Sequence, residues 1–340
     1  MKISKIPTGY LFSQQYSKGE LETLTIGDYG KHVNIKADFL GYTRELNGVP
    51  NVECMPLQEK WVITLSTQYG CPMKCTFCDV PKIKFKGNAS FEDLKDQFYA
   101  AIRMFPNVKY TERMNIHFAR MGEPIFNDAV IEFSEWLYKN KREIKKETGL
   151  SIETLHPVLT TSLPRKYKNL KQKILTWCEI KNNLYNGQAG LQFSINSTSE
   201  EQRSDMYQGE QLSLEKLSKI AMEMPLPVSR KYCLNFAYAS GYEVDGEKLR
   251  KLFDPEKFMC KITPIHNNDA CRENGIVTIE GYESYAPYKD AEDSLKAAGF
   301  DVLVFIPSID EEEGLVTCGN LALSGSEPVE IDFVKIMGIC

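Results

Sequence analysis

Histidine is scarce in this chain of 340 residues, occurring only at positions 32, 117, 156 and 266. No apolar run is long enough to span a bilayer, and the opening MKISKIPTGYLFSQQYSKGE holds no apolar stretch of signal-peptide length. The expectation is a cytoplasmic protein with no membrane partner. There is no low-complexity linker, and no repeat beyond an alternation of short strand-like and helix-like segments. No G-x-G-x-x-G follows the first strand of that alternation, which makes a dinucleotide-binding open sheet the second choice of architecture. Positive charge is not in excess either. With 41 Lys and Arg against 46 Asp and Glu, the net charge of −5 argues against non-specific coating of nucleic acid. Local basic stretches remain at PKIKFKG (81–87), KNKREIKK (139–146) and PRKYKNLKQK (164–173). The second fits a solvated helix face; the first adjoins a group of cysteines.

Apolar residues make up 42% and charged residues 26%, which is enough to build a sizeable core. From about residue 61 the chain alternates apolar strands with amphipathic helices. WVITLS precedes SFEDLKDQFYAAIRMF, whose Ser90 and Asp93 read as a helix cap. MNIHFA precedes AVIEFSEWLYKNKREIKK, which reads as one helix. HPVLTT, GLQFSIN, YCLNFAYA and FMCKITPI are each followed by helical segments in the same way. Six βα units of this kind predict an α/β fold, a partial (β/α)6 barrel with its chemistry at the carboxyl ends of the strands. The barrel core is assigned to residues 58–310. Residues 1–57 read as a short β-rich N-terminal extension, and residues 311–340 as a C-terminal strand and loop segment.

Of the ten cysteines, only Cys71, Cys75 and Cys78 are clustered, spaced C-x3-C-x2-C within TLSTQYGCPMKCTFC. In a reducing compartment such a group points to metal binding, whereas scattered cysteines read as buried small hydrophobes. A structural zinc site needs a fourth ligand, and no histidine lies within local ligand spacing, although His117 or His156 could approach through the fold. An iron–sulfur cluster held by three thiolates, with one iron left open, is the better reading.

The C-x3-C-x2-C motif with Phe77 before its last cysteine is identified as the signature of the radical S-adenosylmethionine superfamily. The resemblance implies a [4Fe–4S] cluster on Cys71, Cys75 and Cys78, with S-adenosyl-L-methionine bound at the open iron. Further stretches resemble the RlmN/Cfr-type RNA methyltransferases: STQYGCPMKCTFC, NASFEDLKDQ, ARMGEPIFN, FSINSTSEEQRSDMY, MCKITPIHNN and LVTCGNLALSG. They occur in the family's order over roughly residues 52–325. The resemblance implies that Gly122 and Glu123 bind the cofactor's methionine moiety, and that Thr160, Ser194, Asn196 and Asn268 line the cofactor pocket. It implies that Cys318 carries a methyl group to an sp2 carbon, an adenine carbon of RNA, and that Glu53 accepts a proton. A reducing electron donor such as flavodoxin or ferredoxin is implied as a partner.

The pattern is broken in two places. The family has a second cysteine seven residues before the first cluster cysteine, which forms a disulfide with the methyl-carrying cysteine to release product. Thr64 stands there in this chain, and a hydroxyl cannot form that bond. Cys54 or Cys340 would have to substitute. The family's helical RNA-binding domain is also replaced by the β-rich segment. Two other readings stay open: a divergent radical enzyme acting on a nucleotide, small molecule or peptide without methylation, and a metal-stabilised binding module without catalysis.

Overall fold

The computed structural model describes residues 1–6, 9–27, 57–278, 286–305 and 319–324, with one short backbone ladder pairing 45–46 with 49–50. Its centre is a ten-stranded sheet. Strands β1 (Lys2–Ile6), β2 (Gly9–Tyr16) and β3 (Gly19–Gly27) pair antiparallel and join β4 (Lys60–Leu65). From β4 onward every neighbour is parallel: β5 (Tyr110–Phe118), β6 (Ser151–Thr161), β7 (Gly190–Ser194), β8 (Tyr232–Tyr238), β9 (Phe258–Pro264) and β10 (Asp301–Val304). The sheet does not close, so the fold is a partial α/β barrel whose curve is continued at one edge by β1–β3. Among the described residues, no helix is long and apolar enough to cross a membrane.

Residue alternation sets the two faces. Trp61, Ile63 and Leu65, then Met114, Ile116 and Phe118, then Leu191 and Phe193, then Leu234 and Phe236 are buried in one core with the helices. Phe118 meets Phe133 and Trp177 edge-on, with ring centroids 6.2 Å away in each case. The other parity points to the concave face and is largely polar: Thr64, His117, Thr160, Gln192, Ser194, Asn235 and Lys261. A strand pattern that is apolar on one side only leaves room for a site on the other.

The first crossover helix, α1 (Phe91–Arg103), starts at Ser90 with a full capping box: Ser90 Oγ accepts from Asp93 N, and Asp93 Oδ2 accepts from Ser90 N. The stretch expected as a single helix is two, α2 (Ala129–Lys139) and α3 (Lys141–Thr148). The break falls at Asn140, whose side-chain amide donates to the Trp136 carbonyl at 2.9 Å and so competes with the helical ladder. α3 buries only Ile144, which leaves its lysines and Arg142 toward solvent.

Candidate active site

The chain leaves β4 at Leu65 and enters the cysteine loop through a short hairpin that pairs Gln68–Tyr69 with Gly87–Asn88. Gly70, immediately before Cys71, has φ +74°, and a Cβ there would sit 2.7 Å from the Ile83 carbonyl oxygen. Cys71, Cys75 and Cys78 are half-buried, and none is in a disulfide. Burial raises the Cys75 thiol well above its ordinary pKa, and Cys71 and Glu123 nearby push it further in the same direction. Among the described residues, no three His, Cys, Asp or Glu side chains are drawn into a ready metal-binding group. The three thiols instead share one loop, and Cys75 and Phe77 pack on an apolar wall of Met206, Tyr207, Ala239, Ile265 and Cys271.

The loop is clamped from outside. Thr76 N and Oγ1 donate to the Met206 carbonyl at 2.9 and 3.2 Å. Phe77 lies edge-on to Tyr207 at 5.3 Å. Asn268 caps the short helix α8 (Asp269–Glu273) by accepting from Cys271 N, while its Nδ2 donates to the Phe77 carbonyl at 3.0 Å. Both ends of the Asn268 side chain therefore fasten α8 to the loop. Asp79, the residue after the last cysteine, is buried and accepts from Ala270 N at 3.0 Å. Lys82 bridges Asp79 and Glu273, so the basic stretch after the cluster begins with a neutralised lysine. Phe85 further along the same stretch is exposed.

The Gly122–Glu123–Pro124 turn sits beside this loop. Gly122 has φ +97°, and a Cβ there would come within 2.5 Å of Gln68 Cβ. Gln68 Oε1 accepts from Glu123 N at 2.8 Å, and Gln68 Nε2 donates to Asn88 Oδ1 at 2.8 Å. The buried Glu123 carboxylate accepts from Ile125 N at 3.1 Å, and from Ser162 N and Oγ at 2.7 and 2.5 Å. Burial raises its pKa while these hydrogen bonds oppose the rise. With about four acceptor positions on a carboxylate and three filled, one remains.

Thr160 and Ser194 are half-buried on the concave face, and Thr160 stands opposite Gln192 in the next strand. The Ser194 carbonyl accepts from Tyr207 Oη and Gln211 Nε2. Asn196 is buried in the left-handed region at φ +61°. Its Oδ1 accepts from Ala237 N at 3.0 Å, and its buried Nδ2 has no partner among the described residues. A donor left over at a strand end beside the thiol loop is a feature that a polar cofactor would satisfy.

Sequence reasoning missed Gln68, Asp79 and Ser162, the residues that hold the loop and the turn together. Their one signal is position: each lies within three residues of a motif that was singled out. Glu53 and Cys318 lie outside the described residues, as do Cys54 and Cys340.

No model of a known protein family matches the chain. A probable dual-specificity RNA methyltransferase RlmN from Chlorobium phaeobacteroides is 28% identical over 294 residues, covering 81% of this chain and 70% of that protein. RlmN proteins of the same description from Chlorobaculum tepidum and Aquifex aeolicus are 26% and 24% identical, over 66% and 62% of this chain. In structure, a radical SAM methyltransferase from Sphaerobacter thermophilus aligns over 92% of this chain and 77% of its own, with TM-score 0.61 at 17% identity, a likeness of fold. The chain is a divergent member of the RlmN/Cfr-like radical SAM group. It spans 55% and 57% of the second and third of these RlmN relatives.

One contact of this RlmN/Cfr-like chain joins its two ends to the thiol loop. Glu22 on β3 and Arg120 after β5 form a fully buried ion pair at 2.8 Å. Glu22 Oε2 also accepts from Gly319 N at 2.9 Å, and Oε1 from Ala322 N at 2.8 Å. This seats the short helix α10 (Asn320–Leu323) on the N-terminal strands, where Leu321 packs on Leu11 and Leu24. Gly319, the covalent neighbour of Cys318, has φ +90°, and a Cβ there would lie 3.1 Å from Val80 Cγ2. Val80 is two residues beyond Cys78. Leu24 is in turn the strand partner of Thr64.

Proposed function

We propose that this chain is a radical S-adenosylmethionine enzyme, binding a [4Fe–4S] cluster through Cys71, Cys75 and Cys78, and that it methylates an sp2 carbon of an adenine in RNA by way of Cys318. The donor set fits the cluster chemically. Three soft thiolates on one loop suit iron–sulfur ligation, and the rise in the Cys75 pKa from burial and a neighbouring thiolate would be reversed by bound cationic iron. When bound, cluster and cofactor supply one-electron cleavage of the sulfonium to a 5′-deoxyadenosyl radical.

The chain's own part is positioning. Gln68 and Gly122 set the height of the Glu123 backbone, and Ser162 and Ile125 hold the Glu123 carboxylate against the loop with one acceptor position open for an ammonium group. The Phe77, Met206, Tyr207 and Ile265 wall excludes water from one side of Cys75. Thr160, Ser194 and the unsatisfied Asn196 amide offer polar groups along the strand ends, and Asn268 holds the loop from behind. Glu53 is the proposed proton acceptor.

The observation that supports the Cys318 role best is the seating of Gly319 on Val80. It ties the segment that bears Cys318 to the segment that bears the three thiols. Thr64 stands in register with Leu24, which packs against Leu321, so the position lacking a thiol lies on the strand next to the one carrying the C-terminal segment.

The test is anaerobic reconstitution with iron, sulfide and a reduced flavodoxin or ferredoxin, then incubation with methyl-labelled S-adenosylmethionine and RNA. Four irons per chain, 5′-deoxyadenosine and methyl label on Cys318 are expected. A colourless protein holding one zinc overturns the radical reading, and 5′-deoxyadenosine without label on Cys318 overturns the methyl-carrier step.

A further inference from the structure

The concave face also collects cations on a part of the sheet that the proposed reaction does not use. Lys60 at the start of β4 is the strand partner of Arg113 on β5. His117 pairs with Thr64 on one side and Val158 on the other, and His156 pairs with Asn115. Lys261 on β9 stands opposite Asn235 on β8. By alternation these residues share the face turned away from the helices. Arg230, just before β8, reaches the same bowl across Gly190: a Cβ on Gly190 would lie 3.2 Å from Arg230 Nη1 and 2.9 Å from Val158 Cγ1. The missing side chain at Gly190 is the space the guanidinium occupies.

These groups lie close enough to act on one another. After burial, the charges that hold the His117 pKa down are Lys261, Arg230, Lys60 and Arg113, all cationic. For His156 they are Arg113, Arg230 and Lys60. Four cations from four separate elements thus surround two imidazoles held neutral. Such a convergence opposes folding by mutual repulsion, unless an anion sits among them. Two donors are moreover unspent: His156 is 5% exposed with its Nδ1 unpartnered among the described residues, and Arg230 Nη1 is buried without a partner. A planar guanidinium with a free N–H, flanked by lysines and an imidazole, matches the tetrahedral face of a phosphate.

We propose that the concave face of the sheet, around Arg230, His156, His117, Arg113, Lys60 and Lys261, is a binding site for the phosphate group of a small phosphorylated molecule of mononucleotide size. The size follows from depth. Lys60 lies five residues below the carboxyl end of β4, about 15 Å of extended strand from the thiol loop. A terminal phosphate reaches that depth, whereas the internal backbone of a folded RNA does not. The site does not depend on the cluster, so its failure and that of the methylation proposal are separately visible.

Isothermal titration calorimetry of the full chain at fixed ionic strength decides it, using inorganic phosphate, adenosine 5′-monophosphate and adenosine, with chloride as the control salt. Saturable binding of phosphate and of the monophosphate is expected, with adenosine at least about tenfold weaker. Arg230→Gln and Lys261→Gln should each weaken phosphate about tenfold while leaving the melting temperature without phosphate equal to or above that of the parent, because each removes a repelling charge. A merely structural role would lower that temperature. Should Arg230→Gln not fold, Lys261→Gln carries the test alone. No saturable heat from either phosphate probe, an equal response to chloride, or unchanged affinity in the folded variants overturns the proposal. So does binding of an RNA oligonucleotide by a protein that ignores the monophosphate.

Discussion

Glu123 and Ser162 form the tightest polar link in the candidate site: one carboxylate oxygen accepts both the backbone N–H and the hydroxyl of Ser162, at 2.7 and 2.5 Å. The other oxygen is held by Ile125 N. A buried carboxylate fixed this way cannot swing, so its remaining acceptor position points in one direction. Ser162→Ala removes the hydroxyl bond alone. We expect it to cost about 1–2 kcal/mol in urea unfolding and to weaken S-adenosylmethionine binding measured by equilibrium dialysis. Unchanged binding in a destabilised variant would show that Ser162 serves the fold only.

Gly122 tolerates no side chain. At φ +97°, with Gln68 Cβ 2.5 Å from an added Cβ, Gly122→Ala strains the backbone and displaces Gln68 from Glu123. The expected loss is about 2 kcal/mol or more, accompanied by loss of cofactor binding. A urea midpoint equal to the parent's would show that the turn relaxes freely.

Breaking the Glu22–Arg120 pair should release the C-terminal segment. Glu22→Gln leaves a buried arginine without its partner charge and weakens the anchor of Gly319 and Ala322, at a cost of about 3–5 kcal/mol. Faster limited proteolysis near residue 319 and reduced methyl label on Cys318 are expected, with iron content unchanged. Loss of iron together with label would place Glu22 in support of the thiol loop itself.

Acid should destabilise the protein through its two interior histidines. Both have folded pKa values lowered from 6.5 to about 3, by burial first and then by surrounding cations. Between these values the unfolded chain binds more protons than the folded one, so stability rises with pH across that window and falls as pH drops through it. Each imidazole adds a slope of at most about 1.4 kcal/mol per pH unit. Urea unfolding at pH 7 and at pH 5 measures it, and His156→Asn should flatten the dependence. A pH-independent midpoint would contradict burial of either ring.

Thr64→Cys restores a thiol where related enzymes carry one. If product release limits this chain, the variant should raise turnover of Cys318-bound methyl and yield a disulfide linking residues 64 and 318 on peptide mapping. Without that link, release runs by another route.

The helix at Phe91–Arg103 was legible because Ser90 and Asp93 are three residues apart and cap each other locally. The break at Asn140 was not, since periodicity carries through it while a single side-chain amide interrupts the ladder. The βα rhythm likewise disclosed the parallel strands, but not that β1–β3 extend the same sheet. Antiparallel addition depends on pairing Thr23–Gly27 with Trp61–Leu65, a contact nearly forty residues apart.

The sequence alone determined the thiol loop, the Gly–Glu–Pro turn and the order of strands around them, because each is written in residues a few positions apart. Only the tertiary structure decided what those pieces are fastened to: Gln68 to Glu123, Asp79 to α8, Glu22 to Gly319, and the cations to one concave face. Such bonds join backbone and charge across long stretches of chain, and nothing in local spacing encodes which distant partner the fold will bring within 3 Å.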